Sequence, residues 1–274
     1  MIDTSDYRVK PGSRVKPGSR VKLAKWQTDD DGGLSEDAAR AESARLRERL
    51  FDLQELLYAE NRHALLVVLQ AMDTGGKDST IRAIFSGVNP QGCSVHSFKA
   101  PSNHEAEHDF LWRVHACVPP YGQIGIFNRS HYEDVLVVRV KGLAPERRWK
   151  KRYTHINAFE ELLHDEGVTI RKFFLHVSKD FQKKRLQKRL DNPAKRWKFD
   201  PDDLAERKRW DDYRDAYEDA LGRCSTDHAP WYIIPAETRW YRDLVVTKVL
   251  VEALESLDMK YPEPDFDPST IIID

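Results

Sequence analysis

The chain has 274 residues, of which 40% are hydrophobic and 10% aromatic, enough to bury a sizeable core and too apolar for general disorder. Its 44 basic and 45 acidic residues nearly cancel, which excludes a global polyanion-binding charge, so any phosphate site must come from local clustering. Three scattered cysteines (Cys93, Cys117, Cys224), no apolar run near the roughly 20 residues of a membrane span, and no apolar leader together predict a cytoplasmic protein with reduced thiols and no membrane partner.

Residues 1–34 carry a short repeat: Arg8-Val9-Lys10-Pro11-Gly12-Ser13 recurs as Arg14-Val15-Lys16-Pro17-Gly18-Ser19, and Arg20-Val21-Lys22 begins a third copy. A six-residue period with Pro-Gly cannot build a helix, and two copies are too few for a solenoid. The segment reads as a basic, mostly extended N-terminal arm, or as an electrostatic tether for a polyanion. Ser35 then caps a long helix to about Glu60, with Leu46, Leu50, Leu53 and Leu57 as its apolar stripe. Ala64–Met72 is a nearly unbroken apolar run, the pattern of a strand buried on both faces of a parallel sheet. Similar runs recur at Cys93–Phe98, Gln123–Phe127, Thr169–Val177 and Trp231–Pro235, separated by helical patterns near 104–116, 147–165, 179–190, 201–221 and 238–257. This alternation predicts one doubly wound α/β domain over 35–262, with a tail over 263–274.

The most informative stretch is Ala71-Met72-Asp73-Thr74-Gly75-Gly76-Lys77-Asp78-Ser79-Thr80. It follows a buried strand and precedes a helical pattern, the context of a Walker A phosphate loop. Gly75 and Gly76 permit a tight turn whose N–H groups face phosphate oxygens, the helix N-terminus adds positive potential, and Lys77 reaches the terminal phosphates. The match is imperfect. Ala71 stands where the usual first glycine would be, and Asp78 replaces the hydroxyl that normally meets magnesium, so Asp73 becomes the candidate for that duty. A second apolar strand ends in Asn128-Arg129-Ser130-His131-Tyr132-Glu133-Asp134, a Walker B-like delivery of a carboxylate beside the loop, which by itself also suits a surface turn.

Residues 183–198 hold eight basic side chains against the single acidic Asp191. A solvated helical face is one reading. The other is a basic lid, about 179–214, that closes over phosphates from a strand end. Lys99 and Pro101 at another strand end, with Arg113 on the next helix, suit the nucleotide side of a kinase. A packed Trp112 beside a surface arginine is the plainer alternative. His104-Glu105-Ala106-Glu107-His108 fits the two-histidine zinc motif H-E-x-x-H, but no third histidine or glycine follows, and the stretch is polar.

Ala71–Lys77, the block Asn128-Arg129-Ser130-His131-Tyr132-Glu133-Asp134-Val135, Lys184-Arg185-Leu186 with Asn192–Lys198, and Pro230–Ala236 together resemble the polyphosphate kinase 2 family over roughly 35–262. The resemblance implies a thymidylate-kinase-like P-loop fold: three layers, α/β/α, with a parallel five-stranded sheet and a helical lid. It implies Mg²⁺-dependent transfer between inorganic polyphosphate and adenine nucleotides, AMP to ADP and ADP to ATP, with Mn²⁺ as a substitute ion. It implies Asp73 and Asp134 at the metal, and Lys77, Asn128 and Arg129 on phosphates. Thr74, Gly75, Gly76, Asp78, Ser79 and Thr80 would line the phosphate loop. Arg185, Arg189, Lys195 and Lys198 would serve polyphosphate from the lid, Glu133 would position its neighbours, and the chain would form a homo-oligomer, dimer or tetramer. Two rivals remain: an ATP-dependent nucleoside monophosphate kinase, active without polyphosphate, and a non-catalytic polyanion binder, which would not need the loop. No nucleic-acid module is recognisable.

Overall fold

The computed structural model describes residues 2–10 and 21–273. Its strands are β1 (Ala64–Ala71), β2 (Cys93–Ser97), β3 (Ile124–Asn128), β4 (Val168–His176) and β5 (Trp231–Pro235). They form one parallel sheet in the order β2-β3-β1-β4-β5. Every residue of β1 is buried, as its unbroken apolar sequence requires in an interior strand. Register pairs Leu69 with Asn128 on one side and Ala71 with Leu175 on the other, so the carboxyl ends of β1, β3 and β4 meet. This is where open α/β sheets bind ligands.

The helices are α1 (Glu36–Glu60), α2 (Lys77–Phe85), α3 (Asn103–Ala106), α4 (Trp112–His115), α5 (Val137–Val140), α6 (Glu146–Asp165), α7 (Lys179–Asp191), α8 (Asp202–Lys208), α9 (Trp210–Cys224) and α10 (Arg239–Glu255). Ser35 caps α1 as expected, its hydroxyl accepting from the Ala38 amide, and Leu46, Leu50, Leu53 and Leu57 are buried where α1 packs along α10. The stretch 104–116 is not one helix. Ser102 starts α3 with a capping box, α3 stops at Ala106, and Asp109 restarts the chain by accepting from the Leu111 amide at 2.9 Å. His108 lies past the end of α3, yet its ring stays 5.1 Å from that of His104, and both pack on Trp112, with His108 stacked on it at 4.2 Å.

The flanks of the N-terminal segment lie against the core. The Val9 amide donates to the Trp231 carbonyl at 2.8 Å, extending the β5 edge, and Leu23 is buried with its amide on Glu218. The repeat copies at 11–20 fall outside the described residues. Residues 260–273 are exposed.

Candidate active site

Between β1 and α2 the chain turns tightly, with the Gly75 amide donating to the Met72 carbonyl at 2.9 Å. Its two glycines are required for different reasons. A Cβ on residue 75 would lie 2.5 Å from the Ala71 Cβ, whereas Gly76 has φ +108° and a Cβ there would meet Arg242 Nη1 at 2.6 Å. Ala71, the departure from the usual loop pattern, is thus part of what makes residue 75 glycine. Thr74 sits in the left-handed region at φ 63°, with Oγ1 buried and unpartnered. The Lys77 side chain is buried at the start of α2. Burial first, and then Arg129, hold its ammonium below the ordinary lysine value, while Asp73, Glu133 and Asp78 pull the other way. Ser79 and Thr80 donate to the Gly76 carbonyl at 2.7 and 3.1 Å and so brace the loop from behind. Asp78 accepts from Asn128 Nδ2 at 2.8 Å, tying α2 to the end of β3.

Arg129 follows at φ 61°, its amide on the Leu69 carbonyl and its guanidinium 3.0 Å from Asp73 Oδ1. Burial opposes its charge, but Glu133 and Asp73 keep it protonated. Burial pushes the Glu133 carboxyl up, against the pull of Arg129 and Lys77. Burial raises Asp134 too, although Arg152 of α6 donates to its Oδ1 at 2.8 Å and to its carbonyl at 2.9 Å. Sequence reasoning missed Arg152, because within Glu146–Tyr153 it cannot be told from a solvated basic face.

Asp73, Arg129, Glu133, Asp134 and Arg152 open onto a cleft of ≈ 570 Å³ that Lys99, Pro101 and Arg113 also line, while Lys77, Asn128 and the loop residues 74–76 are not in its lining. Arg113 donates to the Lys99 carbonyl at 2.9 Å and lies 5.5 Å over the Phe98 ring, while Arg152 lies 4.8 Å over Phe110. Two guanidiniums held against aromatic faces beside a phosphate loop suit a nucleotide. Among the described residues no three His, Cys, Asp or Glu side chains gather into a closed metal site. Mg²⁺ needs no such cage, since one or two carboxylates and substrate phosphates suffice, and Asp73 and Asp134 both line the cleft.

Across the loop stands α7. Gln182, Arg185 and Arg189 share one of its faces. Gln182 Nε2 donates to the Asp73 carbonyl at 3.0 Å, so α7 touches the loop directly. Arg185 Nη1 is buried and unpartnered; burial and the neighbouring Arg239, Arg242 and Arg189 push its guanidinium down to about 10. Arg242 is 1% exposed and reaches Ser79 Oγ at 3.3 Å while pairing with Asp243. Arg189 is half-buried and spans the Lys198 carbonyl and Asp203. Lys195 and Lys198 are exposed on the turn Pro193–Lys198, where Lys198 lies 4.9 Å over the Trp197 ring. Sequence reasoning also missed Arg239 and Arg242. Their one signal was a pair of arginines three apart, just beyond the carboxyl end of β5.

A family model, Polyphosphate kinase 2 (PPK2), matches residues 33–262. A relative from Meiothermus ruber, named AMP/ADP-polyphosphate phosphotransferase, is 56% identical over 272 residues, covering 98% of this chain and 99% of the relative. An ADP-polyphosphate phosphotransferase from Rhodopseudomonas palustris is 49% identical, covering 96% and 93% of the two chains. The crystal structure of Polyphosphate Kinase 2 from Arthrobacter aurescens superposes with a TM-score of 0.91 at 41% identity, covering 98% of this chain and 94% of that one. With the family model, the relatives and the superposed parallel sheet in agreement, this chain belongs to the polyphosphate kinase 2 family.

Proposed function

We propose that the protein transfers phosphoryl groups between inorganic polyphosphate and adenine nucleotides, converting AMP to ADP and ADP to ATP. One observation carries the reading: positive charge gathers on both sides of a single phosphate loop. Arg113 and Arg152 line the cleft, and Arg185 lies outside it with Arg239 and Arg242, the last of which meets the loop at Gly76 and Ser79. Like charges held at partial burial are unfavourable until an anion joins them. A long polyanionic donor satisfies the second group, which a donor ending at three phosphates does not require. The name carried by the Meiothermus relative supports acceptance of both AMP and ADP.

The reaction follows from positions. Lys77 and the loop amides hold the donor's terminal phosphate, Arg129 bridges toward the acceptor, and Arg113 and Arg152 orient the nucleotide. Asp73 and Asp134 would hold Mg²⁺, or Mn²⁺ in its place, which supplies charge neutralisation to the phosphates. Acceptor phosphate oxygens are already anionic, so in-line transfer through a loose transition state needs orientation and counter-charge more than a strong base. Gln182 couples lid closure to the loop. A cytoplasmic homo-oligomer, dimer or tetramer, completes the reading; no helix among the described residues is long and apolar enough to cross a membrane.

Chromatography of nucleotides after mixing protein, Mg²⁺ and polyphosphate with AMP or ADP tests this. ATP from ADP, and ADP followed by ATP from AMP, are expected. Turnover that appears only on adding ATP would replace the reading with an ordinary nucleotide kinase. In the same assay Arg185→Ala raises the KM for polyphosphate about tenfold, the weight of one partly buried charge-assisted contact, and leaves the nucleotide KM unchanged. An equal rise in both would remove Arg185 from the donor side.

A further inference from the structure

Behind the Arg129–Asp134 turn lies a buried polar group that the proposed reaction does not use. Lys172, on the interior strand β4, is fully buried. Its ammonium donates to Glu160 of α6, to the Tyr132 hydroxyl at 2.8 Å and to the Cys224 carbonyl at 2.6 Å, which places all three protons. Glu160, equally buried, also accepts from the Tyr132 hydroxyl at 2.9 Å and pairs with His131 Nε2 at 3.2 Å. Burial alone would lift the Glu160 carboxyl, but Lys172 and His131 hold it below its ordinary value.

A buried ion pair is a weak source of stability, because apolar side chains of similar size do as well or better in its place. Its geometry is the more specific property. His131 and Tyr132 are the inward half of the single 3-10 turn whose next two residues, Glu133 and Asp134, line the cleft. The same turn is pinned at its start, where Ser130 Oγ accepts from the Tyr132 amide and from Gln70 Nε2, each at 3.2 Å. The inward and outward halves adjoin within one turn, so a rotation of Tyr132 is a rotation of Asp134.

We infer that Lys172 and Glu160 are positioning residues, which through Tyr132 and His131 fix the turn that presents Arg129, Glu133 and Asp134 to the phosphates. The inference rests on the reading of that turn as phosphoryl-transfer machinery. Two double variants separate positioning from bulk stability. Glu160→Leu with Lys172→Met removes both charges together and withdraws the acceptor from Tyr132 and His131. Glu160→Gln with Lys172→Met also lacks the ion pair but keeps an acceptor.

The first pair lowers kcat about a hundredfold, with both KM values within about twofold, and lowers the melting midpoint because the Tyr132 hydroxyl, His131 Nε2 and the Cys224 carbonyl lose their partners. The second recovers kcat to within about threefold of the parent. Tyr132→Phe, which keeps the ring and removes its bonds, loses about tenfold and decides the matter should the first pair not fold. Parental kcat in the first pair or in Tyr132→Phe overturns the inference. So does equal loss in both pairs in step with melting temperature, which is a structural role. Arg129→Ala in the same assay separates the two layers. Its full activity would remove the reading of the turn itself, whereas its inactivity beside an unimpaired first pair removes only the role of Lys172 and Glu160.

Discussion

Lys77→Met lowers polyphosphate-dependent turnover by about three orders of magnitude, while the melting temperature holds or rises. Initial rates and thermal unfolding measured on one preparation check both halves. The activity loss follows from removing the one ammonium that the loop presents to the transferring phosphate. The stability half follows from the environment: burial and Arg129 both disfavour the charge, so an apolar stem of similar length relieves a penalty. The sign with pH is fixed. A lysine whose folded value is depressed destabilises the fold while it stays protonated. The stability advantage of the Lys77→Met variant is therefore full below the depressed value and fades as pH rises through it toward the ordinary lysine range. The parent's kcat/KM, which reports the unliganded enzyme, also falls on that alkaline side, earlier than for a free lysine. Near-parental turnover in Lys77→Met would sink the role given to the loop.

Chelation of divalent ions abolishes turnover and Mg²⁺ restores it, while Asp73→Asn lowers kcat about a thousandfold and raises the Mg²⁺ needed for half-maximal rate. The fold tolerates this change. Asp73 and Arg129 form a partly exposed pair, with side chains 28% and 41% accessible, a contact worth about 1 kcal/mol at most. Rates titrated against Mg²⁺ for both proteins test the assignment. An unchanged Mg²⁺ curve in Asp73→Asn, at whatever rate, would move the ion away from Asp73.

What was legible in the sequence was what depends on local geometry. β1 could be read because an interior parallel strand is apolar at every position, and the loop because strand, glycines and lysine must be contiguous. The block Asn128–Asp134 likewise stays together, running from the end of β3 into one short turn. The arginines from distant helices were not legible. Arg152 ends a run, 147–152, that is basic at every position except Trp149, and its bond to Asp134 exists only once α6 packs behind the turn. Arg239 and Arg242 acquire their role only because α10 lies beside the phosphate loop. The basic run of α7 was visible as charge, but which residues matter depended on the helix face that Gln182 fixes against Asp73. The broken stretch at 104–116 was overread for the opposite reason: histidines four apart suggest a continuous helix, and the Ser102 and Asp109 caps that interrupt it are weak signals beside that spacing.

Arg242 occupies the space that any side chain on residue 76 would need, with its guanidinium 2.6 Å from where that Cβ would stand. Two separate constraints therefore hold residue 76 to glycine, this close approach and its φ of +108°. A descendant that acquires alanine at 76 must swing the end of Arg242 away from Asp243 and Ser79 and still hold a backbone that disfavours a side chain. A descendant that shortens residue 242 alone leaves a hollow beside the loop and an acid without its partner. Changing residue 242 would not release residue 76, because the φ there disfavours an L side chain whatever the space, so the last helix can vary while the loop glycine cannot.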